Sequence, residues 1–165
     1  MPERQPPRLA LAQAISLTPP LPANIGAVLA FDYGERRTGV AVGDARLRSA
    51  HPLPAIAAAG AARMAAIAEL MGEWRPERLV VGLPLGSDGG AHRLGQKVAR
   101  FARELEARFC LPVAQVDERY TSTEAESRMR EAYGARRAAQ ASRARKLDSY
   151  AAQLILQQYF DETSA

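Results

Sequence analysis

Ala27-Val28-Leu29-Ala30-Phe31-Asp32-Tyr33-Gly34-Glu35-Arg36-Arg37-Thr38-Gly39-Val40-Ala41-Val42-Gly43-Asp44 is the stretch whose reading decides the fold. Val28 to Asp32 is an apolar run closing on an acid, the pattern of a buried strand. Glu35-Arg36-Arg37 reads as a turn. Thr38 to Asp44 reads as a second strand, close enough to the first to pair with it as a hairpin. Gly34 removes side-chain bulk where a turn or a ligand needs backbone access. An acid at the carboxyl end of a strand, as Asp32 is, stands where sites form in α/β sheets. A plainer role, capping the hairpin turn, is equally open to it.

Outward from the hairpin, a third short strand is expected near Ala50 to Leu53, limited by Pro52 and Pro54. Ala59 to Trp74 is alanine-rich and helical, with Met64, Ile67, Leu70 and Met71 along one stripe. Leu79-Val80-Val81-Gly82-Leu83 is a central strand. Pro84 to Gly90 is a loop whose backbone N–H groups could meet a phosphate, although it lacks the lysine of a P-loop. Arg93 to Phe109 is helical, and Val113 to Val116 is a further strand. Thr121-Ser122-Thr123-Glu124 starts another helix, ending near Gly134. The last helix is expected from Lys146 to Phe160. The order β-β-β-α-β-α-β-α-α makes this an α/β domain: a mixed five-stranded sheet with a hairpin edge and flanking helices.

Composition narrows the function classes. The chain has 165 residues, room for one ordinary domain. Residues 1–25 hold six of the eleven prolines and read as a disordered or loosely packed extension, leaving 26–161 as the folded domain. Cys110 is the single cysteine, which excludes an intrachain disulfide and thiolate zinc sites; it is expected to be a small buried hydrophobe. No apolar stretch is long enough for a membrane span, and the N-terminus lacks a signal pattern, so a cytoplasmic protein with no membrane partner is expected. The formal net charge is +4. From Arg119 to Lys146 there are eight basic residues and three acids, a net of +5, so the rest of the chain nets −1. A basic block of this kind, with Arg119, Arg136, Arg137, Arg143, Arg145 and Lys146, suits a phosphate backbone; a solvated helix face is its plain alternative.

Three acids recur at element boundaries. Besides Asp32, Asp117 and Glu118 close the apolar run from Leu111, and Asp148 stands in the first turn expected of the last helix. Adjacent strand residues face opposite sides of a sheet, so only one of Asp117 and Glu118 points into a given site; Glu118 is preferred, with Asp117 as the alternative. Singly, Asp148 is better explained by the helix dipole than by a metal. Jointly, Asp32, Glu118 and Asp148 offer the oxygen ligands that Mg²⁺ or Mn²⁺ takes. Two such ions can clamp the attacking and leaving oxygens of a phosphodiester, chemistry that needs no Ser, Cys or His nucleophile. His51 and His92 carry no metal spacing.

Four stretches in order carry a family resemblance. Phe31 to Gly34 through Thr38 to Asp44 looks like the first hairpin of the YqgF (RuvX-like) family of Holliday-junction-resolvase-type nucleases. Val80 to Leu85 with Asp88-Gly89 resembles its second motif, and Val116 to Ala125 its third. Lys146 to Ala152 with Leu154 to Gln157 is similar to its fourth. The resemblance implies an RNase H-like fold, catalytic acids at Asp32, Glu118 and Asp148, and a cytoplasmic protein linked to maturation of the small-subunit ribosomal RNA precursor. The expected function is thus a metal-dependent endonuclease on structured nucleic acid, processing the 5′ end of pre-16S rRNA. RNA is preferred over a DNA four-way junction through the resemblance alone, and a junction resolvase would need a dimer. Two rivals stand beside it. An actin-like nucleotide-binding half is disfavoured because the chain has room for only one domain. A non-catalytic nucleic-acid-binding ribosome-assembly module would bind without cutting.

Overall fold

A computed structural model describes residues 26–83, 89–117 and 140–163. The elements are β1 (Ala27–Tyr33), β2 (Thr38–Asp44), β3 (Ser49–Ile56), α1 (Gly60–Trp74), β4 (Arg78–Leu83), α2 (Gly89–Phe109), β5 (Val113–Asp117) and α3 (Gln140–Glu162). The helix expected from Thr121 and the extension over 1–25 lie outside the described residues.

The five strands form one sheet in the order β3-β2-β1-β4-β5. β1 pairs antiparallel with β2, and β2 with β3, while β4 and β5 run parallel to β1. β1 therefore lies at the centre. Its residues Val28 to Phe31 are fully buried because both of its faces are covered.

Alternation along the strands splits the core in two. Val28, Ala30, Ala41, Val80, Ala114 and Val116 meet Ala152, Ile155, Leu156, Tyr159 and Phe160 of α3. Leu29, Phe31, Val40, Val42, Leu79 and Val81 face the other way, onto Met64 and Ile67 of α1 and Val98, Phe101 and Leu105 of α2. The sheet surface under α3 is built of small residues, so that helix sits close. At Gly43 an added Cβ would stand 2.9 Å from Leu156 Cδ2 and 2.8 Å from Phe160 Cε2. A row of polar side chains on α3 also bonds the edge strand and the turn before it. Ser149 donates to Leu53 O at 2.5 Å, Gln153 to Ala50 O at 2.9 Å and Gln157 to Arg48 O at 3.2 Å.

Three expectations change. β3 runs on through Pro52 and Pro54 to Ile56, which an edge strand tolerates because one side of its backbone has no ladder to serve. α3 begins at Gln140, before the expected Lys146, so Asp148 lies more than two turns inside it and cannot act on its N-terminal dipole. Cys110 is exposed rather than buried, in a left-handed conformation (φ 53°) just past the last residue of α2.

Candidate nucleic-acid cleavage site

Asp32 is the penultimate residue of β1, and its partner across the antiparallel ladder is Gly39. Cross-strand partners project to the same face. Asp32 continues the alternation of Val28 and Ala30, the face that α3 covers. Gly39 leaves the space that α3 needs there. A Cβ on Gly39 would lie 1.9 Å from the backbone oxygen of Asp148 and 2.3 Å from its carbonyl carbon. The main chain of α3 thus passes over Gly39 at Asp148 itself, beside the residue that pairs with Asp32. Two acids 116 positions apart in sequence are brought to one glycine-floored spot at the carboxyl end of the central strand.

The electrostatics of Asp148 follow from this seat. Burial against the sheet pushes its carboxyl above the ordinary carboxylate range; the Arg37 guanidinium opposes the shift by charge and by a hydrogen bond. Arg37 Nε donates to Asp148 Oδ2 at 3.0 Å. Arg37 comes from the β1–β2 turn, where Gly34 is required by a close approach: a Cβ there would be 2.4 Å from Arg37 O. The same turn is held from the opposite face by Arg63 of α1, whose Nη2 donates to Gly34 O at 2.7 Å and Glu35 O at 2.9 Å. Arg63 is only 5% exposed, and its guanidinium lies 4.6 Å from the Tyr33 ring centroid. Arg37 and Arg63 carried no sequence signal for these roles. One is a turn residue beside another arginine; the other is a charge next to an apolar helix stripe.

A raised carboxyl sets a sign for stability. The unfolded chain releases the Asp148 proton near the unshifted value of 3.8, before the folded protein does. The group's contribution to stability is therefore complete below 3.8 and is lost as pH rises through the higher folded value. Asp148→Asn, which cannot ionise, is expected to melt at or above the wild type at pH 7 without divalent cations. The gap should close as pH falls below 3.8, as followed by thermal unfolding across pH. A variant melting well below the wild type at pH 7 would show instead that the Arg37 pair outweighs burial.

The remaining expected site residues divide. Asp117 ends β5, where alternation with Ala114 and Val116 turns it to the face opposite Asp32. Its backbone oxygen accepts a hydrogen bond from Gln158 at 3.0 Å. Glu118, Arg119, Arg136 and Arg137 lie outside the described residues. Arg143, Arg145 and Lys146 belong to α3, but their side chains lie outside the described set. Among the described residues no three His, Cys, Asp or Glu side chains are grouped to hold a metal ion. A cavity of about 350 Å³, lined by Tyr33, Arg63, Lys97 and Phe101 among others, lies on the α1–α2 face, across the sheet from Asp32. Among the described residues no helix is long and apolar enough to cross a membrane.

Comparison with known proteins places this arrangement. A model of the RuvX family, described as Holliday junction resolvase, matches residues 26–162. The chain is 51% identical over 137 residues to a Burkholderia vietnamiensis protein named "Putative pre-16S rRNA nuclease", covering 82% of this chain and 89% of that one. It is 50% identical over 138 residues to a Burkholderia lata protein of the same name, covering 83% and 90%. Among solved structures it is similar to T. thermophilus RuvC in complex with a Holliday junction substrate, at 15% identity and a TM-score of 0.51, covering 85% of this chain and 96% of that chain. At that identity the likeness is one of fold. The mixed five-stranded sheet with helices on both faces is RNase H-like, as the sequence motifs implied.

Proposed function

The chain belongs to the RuvX family, and on that premise we propose that it is a hydrolytic endonuclease that processes the precursor of 16S ribosomal RNA in the cytoplasm. The observation that carries the reading is the seating of Asp148 over Gly39, the ladder partner of Asp32. The names of the relatives supply the substrate class.

A divalent cation fits the residues present. All the donors are carboxylate oxygens, the set that Mg²⁺ and Mn²⁺ take. Asp148 already holds a cationic group, the Arg37 guanidinium, against its carboxylate. Asp32, Asp148 and Glu118 would hold the ion. Glu118 is preferred because Asp117, by its place in the β5 alternation, turns to the face opposite Asp32. Bound there, the ion would supply Lewis-acid activation of water and neutralise charge developing on the phosphodiester. The chain's own part is to hold Asp32 and Asp148 together at the carboxyl end of the central strand. Arg119, Arg136, Arg137, Arg143, Arg145 and Lys146 would bind backbone phosphates.

Incubating a labelled pre-16S rRNA and a DNA four-way junction with the protein, each with Mg²⁺ or with EDTA, tests this reading. RNA cleavage that EDTA abolishes is the expected result. Cleavage of the junction alone would move the substrate to DNA, as the family's description allows. Binding of RNA with no cleavage of either substrate would make the protein an assembly module.

Charge reversal at Arg136, Arg137, Arg143 and Arg145 is expected to weaken RNA affinity and flatten its salt dependence. Each lost phosphate contact should reduce the slope of log affinity against log salt by about 1. An unchanged affinity and slope, measured by fluorescence anisotropy across a salt series, would make the basic block a solvated face.

A further inference from the structure

Arg37, in the turn between β1 and β2, lies against the Asp148 carboxylate. Among the described residues its one side-chain partner is Asp148, reached through Nε. The pair is partly open, with the Arg37 side chain 40% exposed and that of Asp148 26%. A guanidinium carries five N–H donors in a fixed plane, so most of this fork takes no described partner. A guanidinium 3.0 Å from a carboxylate repels a divalent ion arriving at the same group. Its other natural partner is a phosphate, which the planar fork matches with two parallel hydrogen bonds. The backbone beneath it is fixed, because Arg63 binds the Gly34 and Glu35 carbonyls. A change of partner therefore needs only the Arg37 side chain to swing.

We propose that Arg37 exchanges partners: it holds the Asp148 carboxylate while no divalent cation is bound, and it takes a backbone phosphate of the RNA once a cation has claimed that carboxylate. This rests on the reading of Asp148 as a cation ligand. Cation binding and RNA binding are then coupled through one side chain. The coupling is reciprocal, so each should tighten the other.

Two equilibrium measurements test the exchange without any readout of cleavage. The first is calorimetric titration of Mn²⁺ into the wild type, Arg37→Gln and Arg37→Lys. Arg37→Gln removes the competing charge and is expected to bind Mn²⁺ about two- to five-fold tighter, the range a partly exposed ion pair is worth. Arg37→Lys keeps the charge and should stay near the wild type. The second is the salt dependence of binding to a pre-16S rRNA fragment with cleavage-resistant linkages. With Mn²⁺ present, the slope for Arg37→Gln should be shallower by about 1, and Arg37→Lys should restore it. In EDTA all three proteins should share one slope.

Equal or weaker Mn²⁺ binding by Arg37→Gln would overturn the exchange. So would a slope lost equally with and without Mn²⁺, which would mark a permanent phosphate contact, or no slope change at all. If Arg37→Gln melts well below the wild type, Arg37→Met, uncharged and of similar length, is held to the same outcomes. A wild type that binds no Mn²⁺ would sink the cation reading itself, a failure distinguishable from that of the exchange.

Discussion

Gly39→Ala is expected to unseat α3 and to cost about 3 kcal/mol or more, at or beyond the upper end of ordinary overpacking. The added Cβ would fall 1.9 Å from Asp148 O and 3.0 Å from Ser149 N. These are backbone atoms of a helix, so no side-chain rotation relieves the clash. The helix must lift as a unit, against the bonds from Ser149, Gln153 and Gln157 to the carbonyls of Leu53, Ala50 and Arg48. Lifting it carries the Asp148 carboxylate away from the end of β1, so cleavage should vanish with the stability. Gly72→Ala is the matched control. Nothing lies within 4 Å of a Cβ there, and the site is inside α1, so alanine should be neutral or stabilising by about 0.5–1 kcal/mol. Urea unfolding of both variants gives the comparison. A Gly39→Ala protein as stable and active as the wild type would show that α3 does not rest on Gly39.

Asp32→Asn is expected to reduce cation-dependent cleavage of pre-16S rRNA to the background seen in EDTA. Asparagine keeps the size and one oxygen of aspartate but removes the charge that, on the proposed reading, would hold a divalent ion. Asparagine has the shape of aspartate, so the fold should hold. RNA affinity in EDTA should be unchanged, because the basic residues do not depend on the acids. Cleavage by Asp32→Asn at the wild-type rate would refute the assignment.

The sequence carried the sheet better than it carried the surroundings of the site. The β1–β2 hairpin was legible because its apolar runs are short, bounded by turn residues and rich in β-branched and small side chains. The early start of α3 was not. Gln140 to Lys146 has no apolar period and no acid in its first turn, and such a stretch reads as a loop until tertiary contacts are known. That missed start is why Asp148 looked like a residue of the helix N-terminus. Asp32 and Asp148 were legible as candidates through the motifs they sit in, whereas Gly39 as their common floor was not. Its importance arises from a contact with a residue 109 positions away. The Arg37–Asp148 pair spans 111 positions and is equally invisible to local pattern. Cys110 misled for a related reason: it follows an apolar stripe, but the helix ends at Phe109, and the chain turns outward there in a left-handed conformation.

On the proposed reading, Asp32 of β1, Asp148 of α3 and Glu118, the residue that follows Asp117 in the sequence, make one cation site. The most direct measurement is a crystal structure of the protein soaked in Mn²⁺, with the ion located by its anomalous scattering. The expected result is a peak in direct contact with carboxylate oxygens of Asp32, Glu118 and Asp148, with Arg37 released from Asp148 Oδ2. A peak that touches neither Asp32 nor Asp148, or Asp117 turned into the site in place of Glu118 with Asp148 still held by Arg37, would contradict it.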